Sequence, residues 1–376
     1  QILRHCRSYL SDLEKELGSV RQKRRRIQRT LGKIVGEANV CFDPFSLISH
    51  ATDATDWRLF LPLAVIRPSE ESQLAPLLVA IEQLGLRVIP RGAGTGLTGG
   101  SVPVASDCVM INVEKLNRIR GIRQRHMTTA DGTPATAHVL ELEAGVITQN
   151  AMNYAAENHL VFATDPTSAW ACTIGGNIAE NAGGKTAVLW GTMIDNILSY
   201  TITMPGGHRR LVRRTDHKLR KILPDDSVTF EIRNETGDIL ETIELHGSDI
   251  RKPGLGKDIT NKTLKGLPGI QKEGTDGIIT SAEFILYPEY EHKATFCLEF
   301  FGEDMDEASR VIVRIAEEFP NRGEEALMAL EHFDDEYCRA IHYKVKAARS
   351  ESPKAVLLID MVGHTQQQLD RGIQCL

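Results

Sequence analysis

Several signatures are missing from this 376-residue chain, and each absence narrows its chemistry. No Cys-x-x-Cys, His-x-His or His-Glu-x-x-His occurs, so neither a zinc ribbon, an iron–sulfur ligand set nor a zincin site is written here. The seven cysteines, at 6, 41, 108, 172, 297, 338 and 375, are odd in number and widely spaced. They read as free thiols of a reducing compartment rather than a disulfide framework. The twelve histidines are scattered and read as structural. No apolar run approaches the ~18 residues of a spanning helix, and the charged start QILRHCRSYL is not a signal peptide. A net charge of −6 gives no field for nucleic acid.

The remaining composition, 41% hydrophobic and 25% charged, is that of a folded chain of about two domains. It begins with Gln and stops at Cys375-Leu376 inside an unfinished element, so we expect a piece of a longer polypeptide.

Apolar residues at three- and four-residue steps predict a helix over 2–35, carrying the basic run RQKRRRIQR at 21–29. We read that run, and the basic stretch HRRLVRRTDHKLRK, as solvated faces. Further helices are expected at 74–84, entered through Ser69 and Glu70–Glu71 and left at Gly85, and at 147–157. Strands are expected at 86–89, 109–113 and 139–142, an alternation that indicates a mixed α/β unit. Residues 228–233 and 239–245 alternate around Asn-Glu-Thr-Gly-Asp and predict a hairpin insertion over about 227–246. After Pro288 we expect strand 295–301, helix 306–319, a second helical region and strand 355–361.

Two glycine-rich stretches carry the chemistry. The first, VIPRGAGTGLTGGSVP, has glycines at 92, 94, 96, 99 and 100, with hydroxyls at Thr95, Thr98 and Ser101. Glycine at this density lets main-chain N–H groups close around a diphosphate. Gly94-x-Gly96-x-x-Gly99 matches the dinucleotide fingerprint, with Glu114 twenty residues after Gly94. A crossover helix of about ten to twelve residues cannot fit, because Pro103 follows four residues after Gly99 and the next strand starts near Val109. No Walker lysine is present, so a P-loop is excluded as well. The second stretch, ATDPTSAWACTIGGNIAENAGG followed by GTMIDN, offers a wall of small residues for a flat aromatic system, with Thr173, Asn177 and Asn181 to orient it.

Together with GTMIDNILSYTITMPGG and EGTDGIITSAEFILYP, these segments resemble the FAD-linked oxidase family over roughly residues 57–288. This is the vanillyl-alcohol oxidase type of flavoprotein, in its glycolate oxidase and D-lactate dehydrogenase branch. The long lead-in helix and the wording LPGIQKEGTDGII (267–279) resemble a bacterial subgroup fused to an iron–sulfur portion.

The resemblance implies an α+β fold: a helical lead-in (1–56), a two-lobed FAD-binding domain (57–288) and a partial α+β cap (289–376) that is the start of a substrate domain. It assigns Pro90, Arg91, Gly92, Ala93, Gly94, Thr95, Gly96 and Leu97, with Gly99 and Gly100, to the FAD diphosphate. Pro166, Thr167, Ser168, Thr173, Gly175, Gly176 and Asn177 are to line flavin and diphosphate, and Ala179, Asn181, Gly183 and Gly184 to continue that wall. Gly277, Ile278 and Ile279 are to approach the adenine or ribose end. Covalent relatives carry a histidine on the first loop or a nearby cysteine; that loop here has none, which implies non-covalent FAD.

Two departures stand out. Gln271-Lys-Glu-Gly-Thr-Asp-Gly277 replaces the family's Gly-Ser-Glu-Gly-Thr-Leu-Gly, and the cap signature His-x-Gly-Asp-Gly-Asn-x-His is absent, His364 being no match. No catalytic residue and no metal ligand is therefore assigned, and the base is expected beyond residue 376. The implied function is an FAD-dependent dehydrogenase of a 2-hydroxy acid such as D-lactate or glycolate. It would pass electrons to an iron–sulfur domain or subunit or to a membrane acceptor. A same-fold enzyme for another alcohol or sugar, or an FAD-binding electron-transfer subunit, is the competing reading. We expect a cytoplasmic location, or a peripheral one at the inner membrane through a partner, with no nucleic-acid partner and no direct membrane insertion.

Overall fold

The computed structural model describes residues 2–129, 133–251, 261–319 and 326–376. Its first helix runs Ile2–Val35, as the apolar spacing predicts, but only its C-terminal part is packed, through Ile27, Leu31 and Val35. The chain then contributes β1 (Val40–Cys41) to a four-stranded sheet with β2 (Ala64–Ile66), β3 (Arg87–Arg91) and β4 (Cys108–Asn112), in the order β1-β2-β4-β3. The lead-in and the first lobe therefore share a sheet, Val40 pairing with Ile66. Helix Leu74–Gln83 and the end of the first helix cover one face, burying Ile66, Leu74, Leu77, Ile81 and Ile111 completely. Each such side chain contributes roughly 1.5–3 kcal/mol through loss of water contact. The expected entry signal is present: Gln73 Oε1 accepts from the N–H groups of Ser69 and Glu70. Gly85 leaves the helix at φ 68°.

β3 and β4 are parallel, Arg91 pairing with Asn112. The connection between them contains no helix, only turns. That is the loop-length argument realised in three dimensions, and it excludes the dinucleotide fingerprint's geometry.

The second lobe is an eight-stranded sheet of β5 (Ile119–Thr128), β6 (Pro134–Glu143), β7 (Leu160–Val161), β8 (Ile197–Thr203), β9 (Arg209–Arg214), β10 (Ser227–Arg233), β11 (Ile239–His246) and β12 (Ile278–Pro288). Its order is β11-β10-β9-β8-β12-β6-β5, with β7 pairing to β12. The expected hairpin is β10–β11, with Phe230 opposite Ile243, and it extends the sheet edge beyond β9. The pair β5–β6 reaches well beyond the expected strand at 139–142; the charges of IRGIRQRHMT hide its partner in the sequence.

The third unit holds β13 (His292–Phe300), β14 (Ala326–Asp334) and β15 (Ala355–Gly363) in the order β13-β15-β14, with helices Asp306–Glu318 and Gln366–Cys375. Here one expectation is corrected. The second helical region begins as a strand, Ala326–Asp334, and only Asp335–Ala340 is helical. ALMALEHFD is built of good helix formers, but its backbone pairs with β15 along the whole length, and tertiary pairing overrides local propensity. A seam of Leu189, Trp190, Ile285, Tyr287, Ala326 and Val362 joins this unit to the large sheet. Tyr290 stacks on His364 across it, ring centroids 4.2 Å apart.

Candidate functional site

A cleft opens between the two lobes, walled by the β3–β4 loop on one side and by residues 166–182 on the other, with 269–279 closing one end. The two glycine-rich stretches, far apart in sequence, face each other across it.

The first loop owes its shape to Arg91. The guanidinium is buried and donates to the carbonyl oxygens of Ser49 (3.2 Å), Thr52 (2.8 Å) and Ser101 (3.3 Å). Burial lowers its pKa and Asp53 opposes that shift. Arg91 lines the cleft as the sequence implies, but these donors brace the loop from within and are spent on backbone. Gly94 turns over this guanidinium at φ 72°, where a Cβ would lie 2.5 Å from Arg91 Cζ. Among the described residues, the N–H groups of Gly94, Thr95 and Gly96 donate to no other backbone group. They form an open cradle of main-chain donors at the cleft surface, the arrangement an anion requires.

Beneath the loop, His50 fixes the turn that supplies Ser49 and Thr52. Its Nδ1–H donates to Ser46 O (2.8 Å) and its Nε2 accepts from Asn112 Nδ2 (2.9 Å), so the ring is neutral. Burial, then the charge of Arg91, lowers its pKa to about 4.

The opposite wall is the helix Ile174–Glu180, capped by Thr173, whose hydroxyl accepts from Gly176 N (3.4 Å). Asn177 donates to Thr148 Oγ1 (2.6 Å), which locks its amide against the start of helix Thr148–Ala156. Gly175 packs where a Cβ would meet Ala144 Cβ at 2.8 Å, so the wall can stand this close only as glycine.

Of the residues singled out from sequence, Pro90, Arg91, Gly92, Ala93, Gly94, Thr95, Gly96, Leu97 and Gly100 line the cleft. So do Pro166, Ser168, Thr173, Gly175, Gly176, Asn177, Ala179, Gly277, Ile278 and Ile279. Gly99, Thr167, Asn181, Gly183 and Gly184 do not. Gly99 sits under the Trp57 ring, and Gly184 fits against Asp165 with no room for a side chain. Asn181 lies behind the wall, in the left-handed region at φ 50°. It donates to Thr192 Oγ1 (2.9 Å) and accepts from Ile194 N (2.9 Å), tying the wall to the turn at 191–196.

Sequence reasoning missed several lining residues. Asp53, Glu180 and Glu273 are acids in a cleft read as anion-binding, a chemistry that argues against choosing them from sequence. Glu180 accepts from Thr98 Oγ1 (3.2 Å); burial first, then Glu273, raises its pKa. Cys172 also lines the cleft, its sulfur 3.2 Å from Thr148 Oγ1. In the altered 271–277 segment, Gln271 and Glu273 adopt φ 57° and 55°, the conformation a glycine would take without strain. Among the described residues no group of three or more His, Cys, Asp or Glu is placed to hold a metal. Nor is any helix long and apolar enough to cross a membrane.

The cleft fits FAD: main-chain donors for a diphosphate, glycine-rich walls that let a flat ring approach the backbone, and polar groups locked at its edge. A family model described as FAD binding domain matches residues 62–212. Glycolate oxidase subunit GlcD of Bacillus subtilis (strain 168) is 25% identical over 90% of this chain and 59% of its own length. D-lactate dehydrogenase of Anaerostipes hadrus is 30% identical over 39% of this chain and 28% of its own length. The chain thus spans less than two thirds of these relatives. A solved alkyldihydroxyacetonephosphate synthase superposes with a TM-score of 0.63 at 16% identity, over 92% of this chain and 57% of that one, a likeness of fold. Residues 62–212 match an FAD binding domain, which makes FAD the cofactor of this α+β chain, and the chain is similar to glycolate oxidase subunit GlcD and D-lactate dehydrogenase.

Proposed function

We propose that this chain is the flavin-binding part of a dehydrogenase that oxidises a 2-hydroxy acid such as D-lactate or glycolate, with FAD held non-covalently. The observation that carries the reading is the cleft between lobes, built from both glycine-rich stretches, in a chain whose relatives are named for glycolate and D-lactate oxidation. FAD, when bound, supplies the acceptor for a hydride equivalent from the α-carbon.

The protein's own contribution is binding and orientation. The N–H groups of Gly94, Thr95 and Gly96 would hold the diphosphate, and Thr173 with Asn177 would fix the register of the dinucleotide along the wall. Toward the cap, Lys185 and Lys293 converge on one buried carboxylate, Asp360, at 3.5 and 3.0 Å. Two cations around one anion leave positive charge at the seam, where the carboxylate of a hydroxy acid would be drawn. The electron acceptor we assign is an iron–sulfur domain or partner, supported by the resemblance of the lead-in helix and of 267–279.

Anaerobic addition of a 2-hydroxy acid to the yellow protein should bleach its visible absorption, and Lys293→Met should raise the concentration needed by about tenfold, the loss of one charge-assisted contact. Bleaching by a simple alcohol or a sugar and by no 2-hydroxy acid would overturn the assignment.

A further inference from the structure

The first helix has a feature the flavin site does not use. Its apolar residues follow a heptad: Leu3, Leu10 and Leu17 fall seven apart, as do Cys6, Leu13, Val20, Ile27 and Ile34. That is the seam of a coiled coil rather than the broader face of a helix packed on a globular core. From Val20 onward the seam is satisfied by the chain's own first lobe, where Ile27 and Leu31 are 1% and 0% exposed. Before it, every residue from 2 to 19 is exposed, including Leu3 (75%), Leu10 (56%) and Leu17 (60%). Isolated helices of this length are marginal in water, and a continuous leucine stripe on one calls for a partner.

We infer that this stripe pairs with the same stripe of a second copy of the chain, as a parallel two-stranded coiled coil. The charges favour self-pairing. In this segment Arg4, Arg7 and Lys15 are balanced by Asp12, Glu14 and Glu16, so the helix suits neither a strongly acidic nor a strongly basic partner. In the heptad that places Leu10 and Leu17 at a and Leu13 and Val20 at d, Glu16 occupies g and Arg21 the following e. A parallel pair sets Glu16 of each copy against Arg21 of the other, twice per dimer, whereas an antiparallel pair matches e with e and g with g. The same register puts Cys6 at d, facing its symmetry mate. The free seam is short, so the dimer is a dissociable one.

Sedimentation velocity from about 1 to about 100 µM covers the range in which a coil of micromolar affinity dissociates. We expect a concentration-dependent monomer–dimer equilibrium, weakened at least about 100-fold by Leu10→Asp with Leu17→Asp. Both positions are exposed and far from the lobes' core, so flavin content and the thermal unfolding of the flavin-binding lobes should be unchanged in that variant. Glu16→Arg should weaken the dimer, and adding Arg21→Glu should restore it. In a Cys375→Ser background, mild oxidation should give a disulfide-linked dimer that Cys6→Ser abolishes. A monomer throughout with no Cys6 cross-link overturns the proposal. So does a dimer indifferent to the two aspartates, or one in which the charge exchange fails to restore pairing.

Discussion

Gly94→Val should yield a folded but colourless protein. The substitution acts on the diphosphate loop in two ways. Valine is strongly disfavoured at φ 72°, and its Cβ would enter the space of the Arg91 guanidinium. Arg91 cannot swing aside freely, since three carbonyl oxygens hold it in a buried site. The unliganded loop can relax to another conformation, so the strain falls on the bound state and appears as lost affinity. Strain of this type costs on the order of 1–3 kcal/mol, roughly 10- to 100-fold in FAD affinity before any displacement of Arg91 is counted. Gly85 provides the control. It also has positive φ, at the turn after helix Leu74–Gln83, but no atom lies within 4 Å of its added Cβ. Gly85→Val should lower the melting temperature slightly and keep the yellow colour.

Asp195→Ala should destabilise the fold far more than either glycine substitution. Asp195 is fully buried and accepts from Thr192 N (2.7 Å), Thr192 Oγ1 (3.1 Å), Ile222 N (2.8 Å) and the Arg251 guanidinium. Its backbone carbonyl accepts from buried Arg214 (3.0 Å) and from His217 Nε2 (2.7 Å). Removing the carboxylate leaves a largely buried guanidinium and two N–H groups without this acceptor, at a cost of about 3–5 kcal/mol. Burial pushes the Asp195 carboxyl up, but Arg251 and the surrounding donors hold it below the ordinary value. A depressed folded-state pKa means that the contribution is complete above the unfolded value, near pH 4, and is lost as acid protonates the folded carboxylate. Urea unfolding at neutral pH should therefore show the full deficit in the alanine variant, and the gap to the wild type should narrow only below about pH 4. A deficit under about 1 kcal/mol would mean that Arg251 and the freed N–H groups find other partners.

The glycine loop was legible in the sequence because its conformations exclude other residues. Gly94 and Gly99 both have positive φ, and Gly99 also lies against Trp57. Arg91 was legible as a member of the site but not in its role. An arginine beside a phosphate loop suggests a direct ion pair, whereas here it braces the loop against 49–52, a segment whose approach no local pattern announces. Asn181 and Gly184 carry the family wording yet pack against Thr192 and Asp165 rather than lining the cleft, since motif membership reports a shared backbone path and not which face a residue presents. The strand at 326–334 was hidden by its helix-forming composition, and the acids Asp53, Glu180 and Glu273 by a charge opposite to the one the cleft's chemistry suggests. Each miss comes from non-local contact overriding a correct local signal.

The central claim is that the cleft between the lobes holds FAD without a covalent link. The most direct test is the visible spectrum of the purified chain, followed by acid precipitation and analysis of the supernatant. Flavin absorption that passes into solution as FAD is the expected result. Colour that stays with the pellet would place a covalent bond in the cleft, with Cys172, which lines it, the thiol to examine. A protein that is colourless and fails to take up added FAD would contradict the account of the cradle at Gly94–Gly96.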